Sequence, residues 1–502
     1  MRTLSPAFRP YQWALPTDEV ARLAGIDPSQ VLRFDQNTPP LPLASTRPAA
    51  VAGALARVNN YPAGGYRALR RAIADYAGVE PGSVVLGAGA DDLILLCARA
   101  YAGPGDTVAI PEAPTYPLFR IAIELAGAEV GDDEAVLTFA CRPNNPTGTL
   151  GPLPDARPLV VDEAYFEFSG ESAVELLEDE VIVLRTFSKL FGLAGARVGY
   201  ALASTDVAAE LNARQAPAPI SSVSAALAVA ALSSRPDPTP VLEERERFAD
   251  GLRALGFAPL ESYANFLYVP TDDAEAIADG LLHRGIVVRS FPGAFRVSVL
   301  DREEDDQLLE ALGGTAVGGG RRVRSVRATA ETRFSTRLAL DGERRVRVAT
   351  GAGIYDHFLE QLAFHAGFDL VLEGAGDLET GDHHTAEDAA LALGEALDAA
   401  LGDRAGIARY GNAVVPMDDA QASAAVDLGG RPFAELRLER DPGMAQHMLQ
   451  SLAQATRANI HVEATGMDAH HVAEAAFKAV GRALGAAVVR VGAGVPSTKG
   501  RL

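Results

Sequence analysis

Two stretches of the chain share one pattern: GDHHTAEDAALALGEALDAALG (residues 381–402) and AHHVAEAAFKAVGRALGAAV (residues 469–488). Each contains His-His-x-x-Glu, followed by an alanine-rich segment with a glycine at the same position. A constant offset of 87 residues relates His383 and His384 to His470 and His471. Alanine-rich sequence of this length favours a helix. A pattern that occurs twice at one offset therefore predicts an internally duplicated fold.

The repeated motif also predicts metal binding. Residues three and four apart share one face of a helix, so Glu387 and Glu474 can each lie beside the histidines of their own copy. Imidazole and carboxylate suit Mn, Fe or Zn, and this half of the chain has no cysteine. An exposed helix start with a capping acid is the alternative, but two copies at equal offsets argue against it. With His357 and His461, the chain offers eight ligands for two ions, which leaves positions open for substrate.

The composition indicates a globular protein of at least two domains. The chain has 502 residues, of which 48% are hydrophobic and 22% charged, and this length exceeds what one core organises. A net charge of -21 argues against nucleic acid or an anionic membrane as partner. Two cysteines and a start without a signal-peptide pattern predict a cytoplasmic protein.

The pattern of apolar runs divides the chain near residue 320. Short apolar runs alternate with helical segments from about residue 80 to 300, which predicts an α/β domain with a largely parallel sheet and a smaller α+β subdomain at its end. Glycine-rich sequence predicts a linker over 313–322. The predicted domains are therefore 1–312 and 323–502, and the second opens with alternating residues typical of half-buried strands.

The motifs TAET (329–332), DHFLEQLAFHAGFDL (356–370), GDHHTAED (381–388), VPMDDA (415–420) and PSTKGRL (496–502) follow one another downstream of this linker. In these motifs, residues 325–502 resemble the imidazoleglycerol-phosphate dehydratase family. The resemblance implies a duplicated α+β domain that assembles into a large symmetric shell with two Mn2+ ions per site. The implied metal ligands are His357, His383, His384, Glu387, His461, His470, His471 and Glu474.

The same resemblance implies further roles in the dehydratase half. Glu331 and His365 match the family's substrate carboxylate and acid-base histidine. The family's phosphate pocket matches Arg409, Arg431, Ser497, Thr498 and Lys499.

The motifs APTYPLF (113–119), CRPNNPTG (141–148), VVDEAYFEF (160–168) and SKLFGLAGARVGY (188–200) occur upstream of the linker. Residues 30–312 resemble the histidinol-phosphate aminotransferases, which have the fold type I of pyridoxal-phosphate (PLP) enzymes. By this resemblance, Lys189 binds the cofactor covalently and moves the proton, and Asp162 pairs with the pyridine nitrogen. FDQNTPP (34–40) departs from the family, which has an Asn-Glu-Asn-Pro run there.

The remaining cofactor contacts are implied in the same way. Tyr116 stacks on the ring, Asn145 and Tyr165 bind its phenolic oxygen, and the phosphate contacts Ser188, Arg197 and the backbone amides of Ala90 and Asp91. Tyr61 reaches the cofactor of a partner subunit, which implies a homodimer. Arg296 and Arg289 match the arginines for the donor carboxylate and the substrate phosphate.

Together the two resemblances imply successive steps of histidine biosynthesis. The dehydratase makes imidazole-acetol phosphate from imidazoleglycerol phosphate, and the aminotransferase converts this ketone to histidinol phosphate with glutamate as donor. One alternative is an aromatic or broad-specificity aminotransferase fused to the same dehydratase. A regulatory protein that retains both domains as a sensor and a platform is another, but the presence of Lys189 and of every implied ligand argues against it.

Overall fold

The computed structural model describes residues 8–39, 48–313, 321–342, 344–492 and 494. The chain divides into two compact units, Met1–Val317 and Gly318–Leu502. Most of the predicted linker, residues 314–320, lies outside the described residues. Within the described ranges, no helix is both long and apolar enough to cross a membrane.

The first unit consists of helices on both sides of a mixed sheet. Its helices are α1 (Thr17–Ala24), α2 (Pro48–Leu55), α3 (Arg67–Ala77), α4 (Ala90–Tyr101), α5 (Leu118–Ala126), α6 (Phe166–Ser169), α7 (Thr205–Arg214), α8 (Ser222–Ser234), α9 (Thr239–Ala254), α10 (Ala274–Leu282) and α11 (Arg302–Ala311). Its strands are β1 (Leu32–Arg33), β2 (Val84–Gly87), β3 (Thr107–Ala109), β4 (Glu129–Val130), β5 (Leu137–Cys141), β6 (Leu159–Asp162), β7 (Val181–Thr186), β8 (Gly199–Leu202), β9 (Phe266–Pro270), β10 (Ile286–Val287), β11 (Arg289–Phe291) and β12 (Ala294–Ser298).

The main sheet has the strand order β2-β8-β7-β6-β5-β3-β4, and β8 runs antiparallel to both of its neighbours. The strands from β4 to β7 are parallel. Strand β7 is apolar along most of its length because Val181 and Val183 face one hydrophobic core while Ile182 and Leu184 face the other. A smaller sheet, β11-β12-β9, and the pair β1-β10 form the predicted α+β subdomain.

The second unit repeats one arrangement of strands and helices. Its elements are β13 (Arg322–Ala328), β14 (Thr332–Ala339), β15 (Val346–Ala349), α12 (Gly353–Ala366), β16 (Asp369–Gly376), α13 (His383–Leu401), β17 (Tyr410–Met417), β18 (Ala420–Asp427), β19 (Phe433–Leu438), α14 (Ala445–Thr456), β20 (Asn459–Thr465) and α15 (Ala469–Ala487). The two sheets have the orders β13-β14-β16-β15 and β17-β18-β20-β19, with the same parallel and antiparallel pairs. The predicted duplication is confirmed.

The repeated glycines lie where helices cross. A Cβ at Gly394 on α13 would lie 2.6 Å from the Cβ of Ala455 and 3.0 Å from the carbonyl oxygen of Leu452, both on α14. A Cβ at Gly481 on α15 would lie 2.3 Å from the Leu362 carbonyl oxygen on α12. Distances of 2.6 and 2.3 Å are too short for non-bonded atoms. Glycine therefore recurs in the motif because α13 packs closely against α14 and α15 packs closely against α12.

Candidate active sites

Asp162 and Lys189 lie at the ends of neighbouring strands in the first unit. Asp162 ends β6, where its Oδ1 accepts a hydrogen bond from the Ala164 amide at 3.1 Å. Burial raises the pKa of this carboxyl group to about 7. Lys189 follows β7, and its Nζ donates to the Gln36 carbonyl oxygen at 3.3 Å. Burial, followed by the charge of Arg296, lowers the pKa of Lys189 to about 8.

The predicted phosphate pocket lies at the start of α4. Gly89 precedes this helix with φ 89°, and a Cβ there would lie 2.7 Å from Nη2 of Arg197. Asp91 accepts hydrogen bonds from Arg197 Nη2 at 3.0 Å and from the Tyr116 hydroxyl at 2.9 Å. The free amides of a helix start bind anions, so the turn from Gly89 to Asp91 offers amides beside a guanidinium. Ser188, in turn, accepts a hydrogen bond from Thr186 Oγ1 at 3.0 Å.

Tyr165 and Arg296 share a buried network with two asparagines. The Tyr165 hydroxyl accepts from Asn37 Nδ2 at 3.1 Å and from Asn145 Nδ2 at 3.4 Å. Arg296 donates to Asn145 Oδ1 at 2.5 Å and to the Asp35 carbonyl oxygen at 2.8 Å. Sequence reasoning did not single out Asn37 as a site residue, although it lies within the divergent FDQNTPP stretch.

The other predicted residues of this unit lie around the same sheet and on the surface. Arg289 on β11 pairs in register with Arg296 on β12, and both of its terminal nitrogens lie 3.3 Å from the Gln12 carbonyl oxygen. We call the surroundings of Asp162, Lys189, Tyr165 and Arg296 the aminotransferase cleft. Tyr61 is 91% exposed and makes no contact with this cleft that the structure describes.

The second unit brings its histidines and carboxylates together in groups of three. His357 and His470 lie 3.3 and 3.2 Å from Oε2 of Glu474. His383 and His447 lie 3.6 and 3.5 Å from Oε2 of Glu387. In each group, a histidine from α12 or α14 meets the His-x-x-x-Glu pair at the start of the long helix of the other repeat, α15 or α13. The ligand atoms of each group lie within 4.8 Å of one another.

The second histidine of each motif contacts carboxylates through Nδ1. His384 Nδ1 lies 3.1 Å from Asp377 Oδ2 and 3.6 Å from Glu331 Oε2. His471 Nδ1 hydrogen-bonds Asp419 Oδ1. Asp377 and Asp419 accept these hydrogen bonds, which raises the pKa of each imidazole. Nδ1 contact with a carboxylate leaves Nε2 available, as is usual for metal-binding histidines.

The structure places His461 apart from these groups. His461 lies on β20, where its Nδ1 is 3.5 Å from Oε2 of Glu435 on β19. Among the described residues of one chain, His461 belongs to none of the three groups of possible metal ligands. His447 on α14 instead joins His383 and Glu387. A sequence signal for His447 existed: HFLEQLA (357–363) and HMLQSLA (447–453) match at four positions.

The remaining predicted residues lie near the same repeats. His365 lies in the last turn of α12, and burial together with the charges of Lys478 and Arg482 lowers its pKa. Arg409 forms a bidentate pair with Asp427, at 2.6 and 3.0 Å. Arg431 is exposed in the connection between β18 and β19. The predicted phosphate contacts Ser497, Thr498 and Lys499 lie outside the described residues.

Comparisons with known proteins agree with this division into two enzymes. The model of the family described as aminotransferase class I and II matches residues 29–132 and 131–312, and that of imidazoleglycerol-phosphate dehydratase matches residues 350–484. The chain belongs to both enzyme families. The predicted fusion of an aminotransferase with a dehydratase is therefore confirmed.

Individual relatives support the same two families. The dehydratase unit is 47% identical over 190 residues to imidazoleglycerol-phosphate dehydratase of Methanothermobacter thermautotrophicus. This match covers 36% of the chain and 98% of that protein. The aminotransferase unit is 34% identical over 352 residues to histidinol-phosphate aminotransferase 2 of Pseudomonas aeruginosa. This match covers 61% of the chain and 94% of that protein.

A solved structure also resembles the aminotransferase unit. Histidinol-phosphate aminotransferase of Sinorhizobium meliloti, in complex with pyridoxal-5'-phosphate, is 27% identical with a TM-score of 0.53. The similarity covers 61% of the chain and 97% of that protein. The predicted fold classes of both units, and their assignment to histidine biosynthesis, are confirmed by these matches.

Proposed function

We propose that the dehydratase unit converts imidazoleglycerol phosphate to imidazole-acetol phosphate, and that the aminotransferase unit then makes histidinol phosphate from this ketone and glutamate. The observation that carries the proposal is that one chain holds both Lys189, which interacts with the charge of Asp162, and two histidine-glutamate groups. The names of the relatives support it, because the product of one named family is the substrate of the other. No observation favours a broader aminotransferase specificity.

The cleft of the aminotransferase unit suits PLP, which supplies an electron sink when bound. Lys189 would bind the cofactor aldehyde and carry the proton to and from the substrate carbon. Burial makes the ionised form of Asp162 unfavourable unless a positive charge lies beside it. A protonated pyridine nitrogen would supply that charge, and Asp162 would in turn keep the nitrogen protonated. The amides that follow Gly89, with Arg197 and Ser188, would bind the phosphate.

The histidine-glutamate groups suit divalent metal ions such as Mn2+, which stabilise developing negative charge when bound. We propose the ligands His357, His383, His384, Glu387, His447, His470, His471 and Glu474, with His447 in place of His461. Glu331 lies beside His384 and would hold a substrate hydroxyl or move its proton. Burial and nearby positive charges lower the pKa of His365, which favours its neutral form, and this imidazole is suited to exchange a proton. Arg409 and Arg431 would bind the substrate phosphate, with Ser497, Thr498 and Lys499 from the chain end.

We also propose a homo-oligomer. Tyr61 is 91% exposed, and Val58 and Leu55 beside it are 66% and 52% exposed, which suits a dimer contact of the aminotransferase unit. The groups of three ligands in one dehydratase unit leave coordination positions that a second copy can supply, as in a larger symmetric assembly. Two free, buried cysteines suit the cytoplasm.

The proposed pair of reactions is tested with purified full-length protein, Mn2+, imidazoleglycerol phosphate and glutamate. We expect histidinol phosphate to form. If glutamate is omitted, the ketone should accumulate instead. Chromatography of the phosphorylated products measures both, and failure to form the ketone would contradict the dehydratase assignment.

The lowered pKa of Lys189 predicts the pH dependence of PLP loading. A lysine attacks an aldehyde only as the neutral amine, so loading should accelerate as pH rises through about 8 and then level off. An ordinary lysine would continue to gain reactivity to about 10.5. Stopped-flow absorbance of apoprotein mixed with PLP at pH 6 to 10 measures the profile, and a rate still rising tenfold per unit above pH 9 would contradict the buried environment.

Independent folding of the two units predicts the outcome of cleavage between them. A protease site inserted between residues 314 and 320 should yield two soluble pieces, each with its own activity, because each hydrophobic core lies within one unit. Size-exclusion chromatography and separate assays check this. Precipitation of either piece after cleavage would argue against independent domains.

A further inference from the structure

Three consecutive residues that follow β1 each hold a different group of the aminotransferase cleft. The carbonyl oxygen of Asp35 accepts from Arg296 at 2.8 Å, and that of Gln36 accepts from Lys189 at 3.3 Å. The side chain of Asn37 donates to the Tyr165 hydroxyl at 3.1 Å. We propose that Asn37 is a positioning residue, which directs the O–H of Tyr165 toward the phenolic oxygen of the cofactor. This inference rests on the proposed PLP site.

The hydroxyl of Tyr165 accepts two hydrogen bonds. A phenolic oxygen has one proton to donate, and acceptance from Asn37 and from Asn145 occupies its lone pairs. The proton must then point away from both amides. Tyr165 is only 2% exposed, so a group within the cleft is the partner that the proton can reach.

The orientation of the Asn145 amide follows from its other neighbour. Arg296 contacts Asn145 Oδ1 at 2.5 Å. A guanidinium group only donates hydrogen bonds, so the atom that faces it must be the amide oxygen. The Nδ2 of Asn145 therefore faces Tyr165, and one of the two donors to the hydroxyl is established without reference to Asn37.

Asn37 is held rigidly enough to act as the second donor. It is 1% exposed, and its φ of 54° lies in the left-handed region that asparagine tolerates better than most residues. Its amide donates to Ser298 Oγ at 2.8 Å, and its carbonyl oxygen accepts from Asn265 Nδ2 at 3.1 Å. The Ser298 hydroxyl lies 2.7 Å from the Phe34 carbonyl oxygen and 3.0 Å from Oδ1 of Asn37, and in this arrangement Nδ2 of Asn37 faces Tyr165.

The direction of the Tyr165 O–H should affect the pH at which the bound cofactor loses a proton. An O–H aimed at the phenolic oxygen stabilises its negative charge, and this lowers the pH at which the near-visible absorbance of PLP-loaded protein changes. If the O–H turns away, the midpoint should rise. A hydrogen bond to a charged group is worth enough for a shift of about one pH unit.

Two variants test the role of Asn37 in the PLP-loaded full chain. Asn37→Asp keeps the shape and replaces the donor with a carboxylate that accepts the Tyr165 proton. Asn37→Gly removes the side chain without strain at φ 54° and adds no charge. We expect both to raise the absorbance midpoint by about one unit. The comparison variant Asn265→Ala removes one hydrogen bond to the Asn37 carbonyl oxygen but keeps the Asn37 side chain, so its midpoint should rise less than in either Asn37 variant.

A double-variant cycle separates positioning from general loosening of the loop. Tyr165→Phe should raise the midpoint by itself, and Asn37→Gly added to it should produce no further rise, because no hydroxyl remains to be directed. Additive shifts would overturn the inference, as would unchanged midpoints in both Asn37 variants of a loaded protein. If the wild-type chain bound no PLP, the proposed cofactor and the role of Asn37 would both be overturned. PLP titration distinguishes these two failures.

Discussion

Lys189→Ala is expected to abolish transamination and the near-visible absorbance of bound PLP, while dehydration continues at the wild-type rate. The Lys189 Nζ lies 5.4 Å from the centroid of the Tyr165 ring and interacts with the charge of Asp162. Without an amine at this place, neither covalent binding nor proton transfer is available. Loss of these functions should lower the transamination rate by roughly four or more orders of magnitude. Absorbance spectra and separate assays of the two reactions measure the effect.

Lys189→Arg is the matched control for charge. The guanidinium group keeps the positive charge in the cleft but is no nucleophile, so this variant should also be inactive in transamination. Dehydration should be normal in both variants because its proposed residues lie in the other unit. Retention of the absorbance in either variant would contradict the role of Lys189, and a parallel loss of dehydration would contradict the division into two independent enzymes.

His447→Ala and His461→Ala are expected to differ sharply in metal content and dehydration. The Nε2 of His447 lies 3.5 Å from Oε2 of Glu387, and its ring lies tilted beside that of His383, with centroids 5.0 Å apart. His461 instead contacts Glu435 on the sheet. Loss of His447 should leave fewer than two metal ions per chain and lower dehydration by roughly two to four orders of magnitude. His461→Ala should retain both. Elemental analysis and Mn2+ titration provide the measurement.

His357→Ala serves as the positive control for this comparison. His357 is the counterpart of His447 in the other repeat, so the two variants should lose metal to a similar extent. Transamination should be unaffected in all three. The opposite result, with metal lost in His461→Ala and kept in His447→Ala, would restore the ligand set derived from sequence resemblance.

The sequence was sufficient for the features that local spacing encodes. The two copies of His-His-x-x-Glu at one offset predicted the duplication. They also predicted that each glutamate lies beside its histidines, because residues three and four apart share a helix face. The alternation of apolar runs predicted the α/β sheet, and β7 shows the physical basis of that pattern, since its residues face cores on both sides. The order of the motifs was enough to indicate both enzyme families.

Tertiary structure decided which distant residues meet. His447 and His461 are both histidines of the second repeat, and the resemblance implied His461 as the ligand. Only the packing of α14 against α13, permitted by the absence of a side chain at Gly394, brings His447 to Glu387 and leaves His461 on the sheet. Asn37 likewise meets Tyr165 across 128 residues of chain. Such contacts depend on how whole elements pack, which local spacing does not encode.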